Sequence, residues 1–130
     1  MRVNFRAPVM ATRLVLPDML ARKSGAIVNV GSLSSKRGWP YGTPYVASKF
    51  ALRGFALCLW EEVRRSNIRV VNVYPDFVAS ELFAAAGTTL ENIERAIPTR
   101  DVAATIVNAL RLDNRTTTVE IDMFPTNMAG

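Results

Sequence analysis

The chain has 130 residues, of which 49% are hydrophobic and 21% charged, with a formal net charge of +5. This length and composition are typical of one folded domain and argue against intrinsic disorder. The basic residues are scattered and do not alternate with aromatic residues, so we expect no nucleic-acid partner. No apolar stretch reaches the length of a membrane-spanning helix, and the N-terminal segment lacks the order of a signal peptide. We therefore expect no membrane partner and a cytoplasmic location.

The chain has one cysteine and no histidine, which limits the chemistry it can perform. Cys58 lies among apolar residues in a helical pattern, and this predicts a buried, unreactive thiol. Without histidine, the commonest general base and the commonest metal ligand are both missing. We therefore expect no metal site, and acid–base chemistry must use tyrosine, lysine or a carboxylate.

Hydrophobic periodicity divides the chain into alternating helices and strands. The predicted elements are a helix over 3–22, a strand over 26–30, a loop over 31–43, a helix over 44–66, a strand over 68–74, an irregular or partly helical segment over 76–99, a helix over 102–112 and a strand over 116–124. Pro17 predicts a kink or a break in the first helix, and Asp101 is the expected cap of the last. Such alternation predicts a parallel sheet with helices packed on it, which is an α/β fold.

The clearest chemical signal is the run Tyr45-Val-Ala-Ser-Lys49 near the start of a predicted helix. Four residues of helix place the phenol and the ammonium on the same face. A neighbouring cation favours phenolate over phenol, which suits a tyrosine that exchanges a proton with an alcohol or carbonyl oxygen. On its own the spacing is more typical of an exposed tyrosine beside a solvated lysine.

Ser32 strengthens the chemical interpretation because it follows the first strand, where α/β proteins bind ligands. The loop over 31–43 is long enough to bring Tyr45 back towards it. A serine hydroxyl there could hold the substrate oxygen that Tyr45 protonates. The alternative for Ser32 is a local turn, and for Tyr41 in the same loop we leave open a contact with substrate or a plain surface position.

Four spaced segments carry a resemblance to a known family. They are Asn4 in Val-Asn-Phe, Gly25-Ala-Ile-Val-Asn-Val-Gly-Ser32, Tyr45-Val-Ala-Ser-Lys49, and Asn72-Val-Tyr-Pro75-Asp-Phe-Val78-Ala-Ser80. In order and spacing the chain resembles the classical short-chain dehydrogenases/reductases, specifically their C-terminal half. The resemblance implies a partial Rossmann-like doubly wound parallel sheet, with its last three strands and flanking helices, as a single partial domain over residues 1–130.

The resemblance also implies a reaction and the residues that perform it. The family transfers a hydride between NAD or NADP and a small alcohol or carbonyl substrate. By that resemblance, Tyr45 is the catalytic acid/base and contacts the cofactor, and Lys49 favours its phenolate and binds the nicotinamide ribose. Ser32 orients the substrate oxygen, and Asn4 supports a water relay from Lys49.

The segment from Pro75 to Ser80 resembles the family's loop around the nicotinamide carboxamide. The resemblance implies cofactor contacts from Pro75, the backbone of Val78 and the hydroxyl of Ser80. Two residues depart from the family pattern. Serine at position 80 replaces the usual threonine but keeps the hydroxyl. Asp76 replaces the usual glycine, which adds a side chain and a charge where a flexible residue is typical.

The family's glycine-rich turn for the cofactor pyrophosphate has no counterpart in this sequence. The resemblance implies that this turn and the first four strands would precede Met1. The strand over 26–30 is then expected to present an open edge. Helices 3–22 and 44–66 pack against a partner subunit in the family, so we expect a homo-oligomer through them.

Three functions remain open from the sequence. The first is the oxidoreductase, the second a truncated non-catalytic paralogue, and the third a small ligand-binding or interaction module that uses the cleft between Ser32 and Tyr45. The catalytic-type residues favour the first, whereas the lack of a pyrophosphate site counts against activity of this chain alone.

Overall fold

A computed structural model describes residues 2–80, 87 and 90–127 of the chain. Its helices are a π-helical turn Arg2–Arg6, α1 Ala7–Arg22, α2 Thr43–Val63, α3 Leu90–Arg95 and α4 Thr99–Arg111, with 3₁₀ turns at Leu33–Ser35 and Arg64–Ser66. Its strands are β1 Gly25–Val30, β2 Ile68–Pro75, β3 Val78–Ala79, β4 Ile97–Pro98 and β5 Glu120–Met123. The predicted alternation of helices and strands is confirmed.

The main sheet has the order β1-β2-β5 and is parallel throughout. Val30 lies opposite Val73, and Pro75 lies opposite Met123, so the carboxyl ends of all three strands meet at one edge. This is the Rossmann-like α/β arrangement that the sequence predicts. Because β1 is an outer strand among the described residues, its second edge makes no ladder with any of them.

Helices cover both faces of the sheet, and β2 supplies the core of each side. Ile68 and Val70 pack with residues of α1 and α2, whereas Val71 and Val73 pack with Ala109 of α4. Successive side chains of a strand point to opposite faces, so the apolar side chains of β2 fill both layers. The burial of this strand therefore explains its high content of hydrophobic residues, which only Arg69 and Asn72 interrupt.

Two asparagines link the strands where an apolar pair would be expected. Asn29 and Asn72 are register partners, and the Asn29 amide donates to Asn72 Oδ1 at 3.0 Å. The Asn72 amide in turn donates to the Val119 carbonyl at 2.9 Å. Both side chains are buried, so these bonds satisfy polar groups that would otherwise be costly.

The helices depart from the sequence prediction at two residues. The predicted break at Pro17 is wrong, since α1 runs through it. Arg13 and Pro17 are both exposed, so the Arg13 carbonyl that loses its helical partner can be hydrated. Asp101 is not the cap, because α4 begins at Thr99 after the extended Pro98. Asp101 lies in the first turn, where its carboxylate still interacts favourably with the helix dipole.

The last strand is shorter than the predicted 116–124. β5 covers Glu120–Met123, and the Thr116 N–H donates to the Asp113 carbonyl at 2.8 Å to close a turn. The segment 76–99 also holds a short parallel pair, β3 with β4, in addition to a predicted helical part. Strands of two residues leave no periodicity in the sequence.

Cys58 is exposed, so its predicted burial is wrong. Helix α2 buries Leu52, Ala56, Leu59 and Val63, which share one face at helical spacing, and Cys58 lies outside this face.

In the described part of the chain, no helix is both long and apolar enough to cross a bilayer. The cytoplasmic location stays a prediction.

Candidate active site

Ser32 lies two residues beyond the end of β1, at the edge where the parallel strands end. It caps the 3₁₀ turn Leu33–Ser35, and its Oγ accepts a hydrogen bond from the Ser34 N–H at 3.2 Å. This bond occupies a lone pair and leaves the hydroxyl proton available to a ligand. Ser32 therefore makes the local turn and can also donate to a substrate oxygen.

Tyr45 and Lys49 lie in the first two turns of α2, as the spacing predicts. Lys49 Nζ is 5.6 Å from the centroid of the Tyr45 ring. The Tyr45 side chain is 41% exposed, so its phenol can be reached from solvent. Burial lowers the pKa of Lys49 below its ordinary value. Within the described residues Lys49 has no carboxylate partner, so its charge is directed at the tyrosine ring and at any bound ligand.

Trp39 connects the Ser32 turn to Tyr45. Its indole Nε1 donates to Ser34 Oγ at 3.0 Å, and its ring lies 6.3 Å from the Tyr45 ring at 45°. A Cβ at Gly42 would come within 2.6 Å of the indole, so glycine is needed for this close packing. The sequence interpretation considered Tyr41 instead, but Tyr41 is fully exposed. Trp39 was missed, although an aromatic in a long loop before Tyr45 was the available signal.

Asn4 reaches α2 through a residue that the sequence interpretation did not single out. Asn4 Nδ2 donates to Ser48 Oγ at 3.2 Å, and Ser48 Oγ donates to the Tyr45 carbonyl at 2.7 Å. Ser48 is fully buried. Its position between Tyr45 and Lys49 was the signal that could have found it. Asn4 thus supports the first turn of the Tyr45 helix, and its water relay stays a prediction.

The segment from Pro75 to Ser80 continues from the carboxyl end of β2. The Ile97 N–H donates to the Phe77 carbonyl at 2.8 Å, and Val78 is the register partner of Ile97. In parallel pairing of this kind, the N–H and carbonyl of Val78 point away from β4. The N–H and carbonyl of Val78 therefore take no part in the β3–β4 ladder, and Ser80 follows directly after β3.

Asp76 fits its position without the conformational freedom of glycine. It is absent from the described residues with positive φ. Its N–H donates to the Met123 carbonyl at 2.9 Å, and its carboxylate pairs with Arg37 at 3.1 Å. The departure from the family pattern thus anchors this segment to β5 and to the Ser32 loop.

Comparison with known proteins identifies the family. A family model described as short chain dehydrogenase matches residues 1–91. The chain belongs to the short-chain dehydrogenase family. Dehydrogenase/reductase SDR family member 7C of Bos taurus is 41% identical over 80 residues, which are 62% of this chain and 26% of that protein. Dehydrogenase/reductase SDR family protein 7-like of Anopheles gambiae is 33% identical over 123 residues, which are 88% of this chain and 39% of that protein.

Solved structures of short-chain dehydrogenases share the fold described above. Serine dehydrogenase from Escherichia coli has a TM-score of 0.78 and 26% identity, over 92% of this chain and 49% of its own. A metagenomic short-chain oxidoreductase in complex with NADP has a TM-score of 0.76 and 28% identity, and the match covers 97% of this chain and 49% of that protein. A 4-hydroxyisoleucine dehydrogenase complexed with NADH has a TM-score of 0.79 and 26% identity, and the match covers 95% of this chain and 55% of that protein. The chain thus spans about half the length of these structures.

Proposed function

We propose that this chain is the catalytic half of an NAD- or NADP-dependent oxidoreductase that interconverts a small alcohol and its carbonyl compound. The observation that carries the proposal is the Tyr45 phenol beside the Lys49 ammonium, 5.6 Å from ring centroid to Nζ, at the edge of the sheet where Ser32 also lies. Membership of the short-chain dehydrogenase family supports the same reaction class.

In the direction of reduction, Tyr45 acts as the general acid. The nicotinamide cofactor supplies a hydride to the carbonyl carbon when it is bound. The Tyr45 hydroxyl gives its proton to the carbonyl oxygen, so the product is an alcohol and the tyrosine becomes a phenolate. The Lys49 ammonium stabilises that phenolate, because its partly desolvated charge is screened less than in water. The Ser32 hydroxyl donates a hydrogen bond to the same oxygen, keeps its own proton and fixes the direction of the carbonyl group.

The described residues fit the nicotinamide end of the cofactor. The outward N–H and carbonyl of Val78 complement a primary carboxamide, which offers both an acceptor and two donors. Pro75 ends β2 at that point, and the Ser80 hydroxyl adds a further polar group. Lys49 is a cation suited to the hydroxyls of the adjoining ribose. The sequence holds no glycine-rich run for the pyrophosphate, so the cofactor contacts that we propose are confined to the nicotinamide and its ribose.

The substrate that we propose has an apolar group next to its carbonyl. Trp39 is half exposed beside Tyr45, and its indole N–H is already bonded to Ser34. The exposed part of the ring is therefore an apolar wall, which favours hydrocarbon over charged substituents.

We also propose that α1 and α2 associate with a second copy of the chain. Apolar side chains remain exposed on both helices: Met10 at 44%, Leu14 at 79%, Val15 at 44% and Phe50 at 42%. Burial of such side chains is favourable, and a shared helical face would cover them.

The proposal is tested by cofactor binding followed by turnover. NADH and NADPH are titrated into the chain up to millimolar concentration while cofactor fluorescence is recorded, and cofactor oxidation is then followed with a panel of small aldehydes and ketones. Binding and oxidation that depend on a carbonyl substrate are the expected result. A chain that binds neither cofactor is no dehydrogenase by itself, which would favour a non-catalytic paralogue or a ligand-binding module.

A further inference from the structure

A network of four charged side chains lies beside the candidate site. Arg53 pairs with Glu120 through two bonds, from Nε at 2.8 Å and from Nη2 at 3.0 Å. Lys36 Nζ lies 2.8 Å from Asp122 and 3.5 Å from Glu120. The side chains of Lys36 and Glu120 are only 25% and 23% exposed, so solvent screens this network less than an ordinary surface ion pair.

The two basic residues belong to the two segments that carry the candidate catalytic groups. Lys36 follows the turn that Ser32 caps, and its N–H donates to the Leu33 carbonyl at 2.9 Å. Arg53 lies on α2, one helical turn after Lys49 and two turns after Tyr45. A bond between these two segments therefore acts on the relative position of their catalytic groups.

Glu120 is the point at which the two segments meet, and the sheet holds it in place. It begins β5 and is the register partner of Asn72 in the buried β2. The Arg53 guanidinium, which hydrogen-bonds the carboxylate, lowers the pKa of Glu120 to about 2. The carboxylate is therefore charged throughout the pH range in which a dehydrogenase would be assayed.

The Tyr74 ring packs against the Lys36 side of the network. Lys36 Nζ lies 4.8 Å from its centroid, and a Cβ at Gly31 would come within 2.9 Å of its edge. Burial raises the pKa of the Tyr74 phenol above its ordinary value, and the Glu120 carboxylate adds to this effect. The hydroxyl makes no hydrogen bond of ordinary geometry with the residues described, so Tyr74 supports the network mainly by packing.

We propose that Glu120 is a positioning residue that fixes the Ser32 turn against the Tyr45 helix. It does so by binding Arg53 on the helix and, together with Asp122, by attracting Lys36 at the end of the turn. This inference rests on the proposed function for the roles of Ser32 and Tyr45, but the placement that it describes can be measured without activity.

Trp39 reports on this placement directly. It is hydrogen-bonded to Ser34 in the turn and packs on Tyr45 of the helix, so loss of alignment changes its exposure. The only other tryptophan, Trp60, packs against the core cluster around Leu59. A Trp60→Phe background therefore leaves Trp39 as the single source of tryptophan fluorescence, and quenching by acrylamide measures its accessibility in the folded chain.

Three variants each remove the charge of one member of the network, namely Glu120→Gln, Arg53→Met and Lys36→Met. Each is expected to raise the acrylamide quenching constant of Trp39, and the double variant of Glu120 and Arg53 is expected to add little to either single one. The control is Arg64→Met, which breaks an exposed pair with Glu61 near the other end of α2 and is expected to leave Trp39 unchanged. Circular dichroism confirms that each variant is folded before quenching is compared.

Carbonyl reduction by the same variants separates this inference from the proposed function. Misplacement of the Ser32 turn is expected to lower kcat by about 10- to 100-fold, with a smaller change in the cofactor KM. Unchanged quenching in all three folded variants overturns the positioning role, whatever their activity. Raised quenching in a chain whose wild type reduces no carbonyl compound upholds the network and contradicts the proposed function instead.

Discussion

Lys49 directs its ammonium at the ring of Tyr45, with 5.6 Å between Nζ and the ring centroid, and burial lowers the pKa of that ammonium. A charge held partly out of water without a carboxylate costs stability, and such a cost is typical of functional sites. Because solvent still screens this partly exposed ammonium, we predict that Lys49→Met raises the free energy of unfolding by no more than about 1 kcal/mol. The same change is expected to lower kcat/KM for carbonyl reduction by about 100-fold or more.

The gain in unfolding free energy that we predict for Lys49→Met should depend on pH. The folded chain disfavours the charged lysine, so the gain is full below the lowered pKa of Lys49 and shrinks as the pH rises through it. Urea unfolding at pH 7 and pH 10 measures this, with Lys49→Arg as the variant that keeps the charge. A loss of stability in Lys49→Met at pH 7 would contradict this explanation of the lowered pKa.

Two glycines offer a matched test of packing near the site. A Cβ at Gly31 would lie 2.9 Å from the Tyr74 ring and 3.1 Å from Ser35 Oγ, whereas Gly54 on α2 has open space around it. We predict that Gly31→Ala lowers the free energy of unfolding by about 1–3 kcal/mol. Gly54→Ala is expected to raise it by about 0.5–1 kcal/mol, because alanine favours helix. Denaturant unfolding of both variants checks this, and equal effects would mean that Gly31 is not tightly packed.

Glu120 should make the chain sensitive to acid. Its folded-state pKa is about 2 against an ordinary value of 4.5, so its contribution to stability is present above about pH 4.5 and is lost as the pH falls towards 2. After allowance for solvent screening, this contribution is on the order of 1–2 kcal/mol. We predict that urea unfolding of Glu120→Gln changes less between pH 6 and pH 3 than that of the wild type. Parallel pH profiles would exclude a tight Arg53–Glu120 bond.

The exposed apolar face of α1 predicts a specific effect on association. Leu14 is 79% exposed in the single chain, so Leu14→Glu should leave the fold intact and shift the chain towards monomer. Val107 on α4 is also exposed, at 43%, and Val107→Glu is the control on the other side of the sheet. Light scattering coupled to size-exclusion chromatography measures both. An assembly that survives Leu14→Glu but not Val107→Glu would contradict association through α1.

The three strands of the main sheet and the two long helices were predictable because each carries a strong hydrophobic pattern. β2 has buried valines on both faces, and α2 repeats Leu52, Ala56, Leu59 and Val63 at helical spacing. The Pro17 break was predicted wrongly because a proline's effect depends on whether the freed carbonyl meets water. That exposure depends on tertiary packing, as does the exposure of Cys58, which lies in an apolar run but on the outer side of its helix.

The candidate site was predictable to the extent that its residues are close in sequence. Tyr45 and Lys49 share a helix, and their spacing fixes their relation before any tertiary structure is known. By contrast, the bond between Arg53 and Glu120 joins residues 67 positions apart, and neither stands in a local motif. Contacts of this range depend on the strand order, which the hydrophobic pattern does not specify.

The most direct test of the proposed function is the removal of one hydroxyl. Tyr45→Phe keeps the ring beside Lys49 and Trp39, whereas Tyr41→Phe removes a hydroxyl from a fully exposed residue of the preceding loop. NADPH and NADH oxidation with the best carbonyl substrate is compared in both, together with cofactor binding. We predict that Tyr45→Phe lowers kcat by about 100- to 10,000-fold with cofactor binding largely preserved, and that Tyr41→Phe changes neither. Wild-type turnover in Tyr45→Phe would contradict its role as the acid/base.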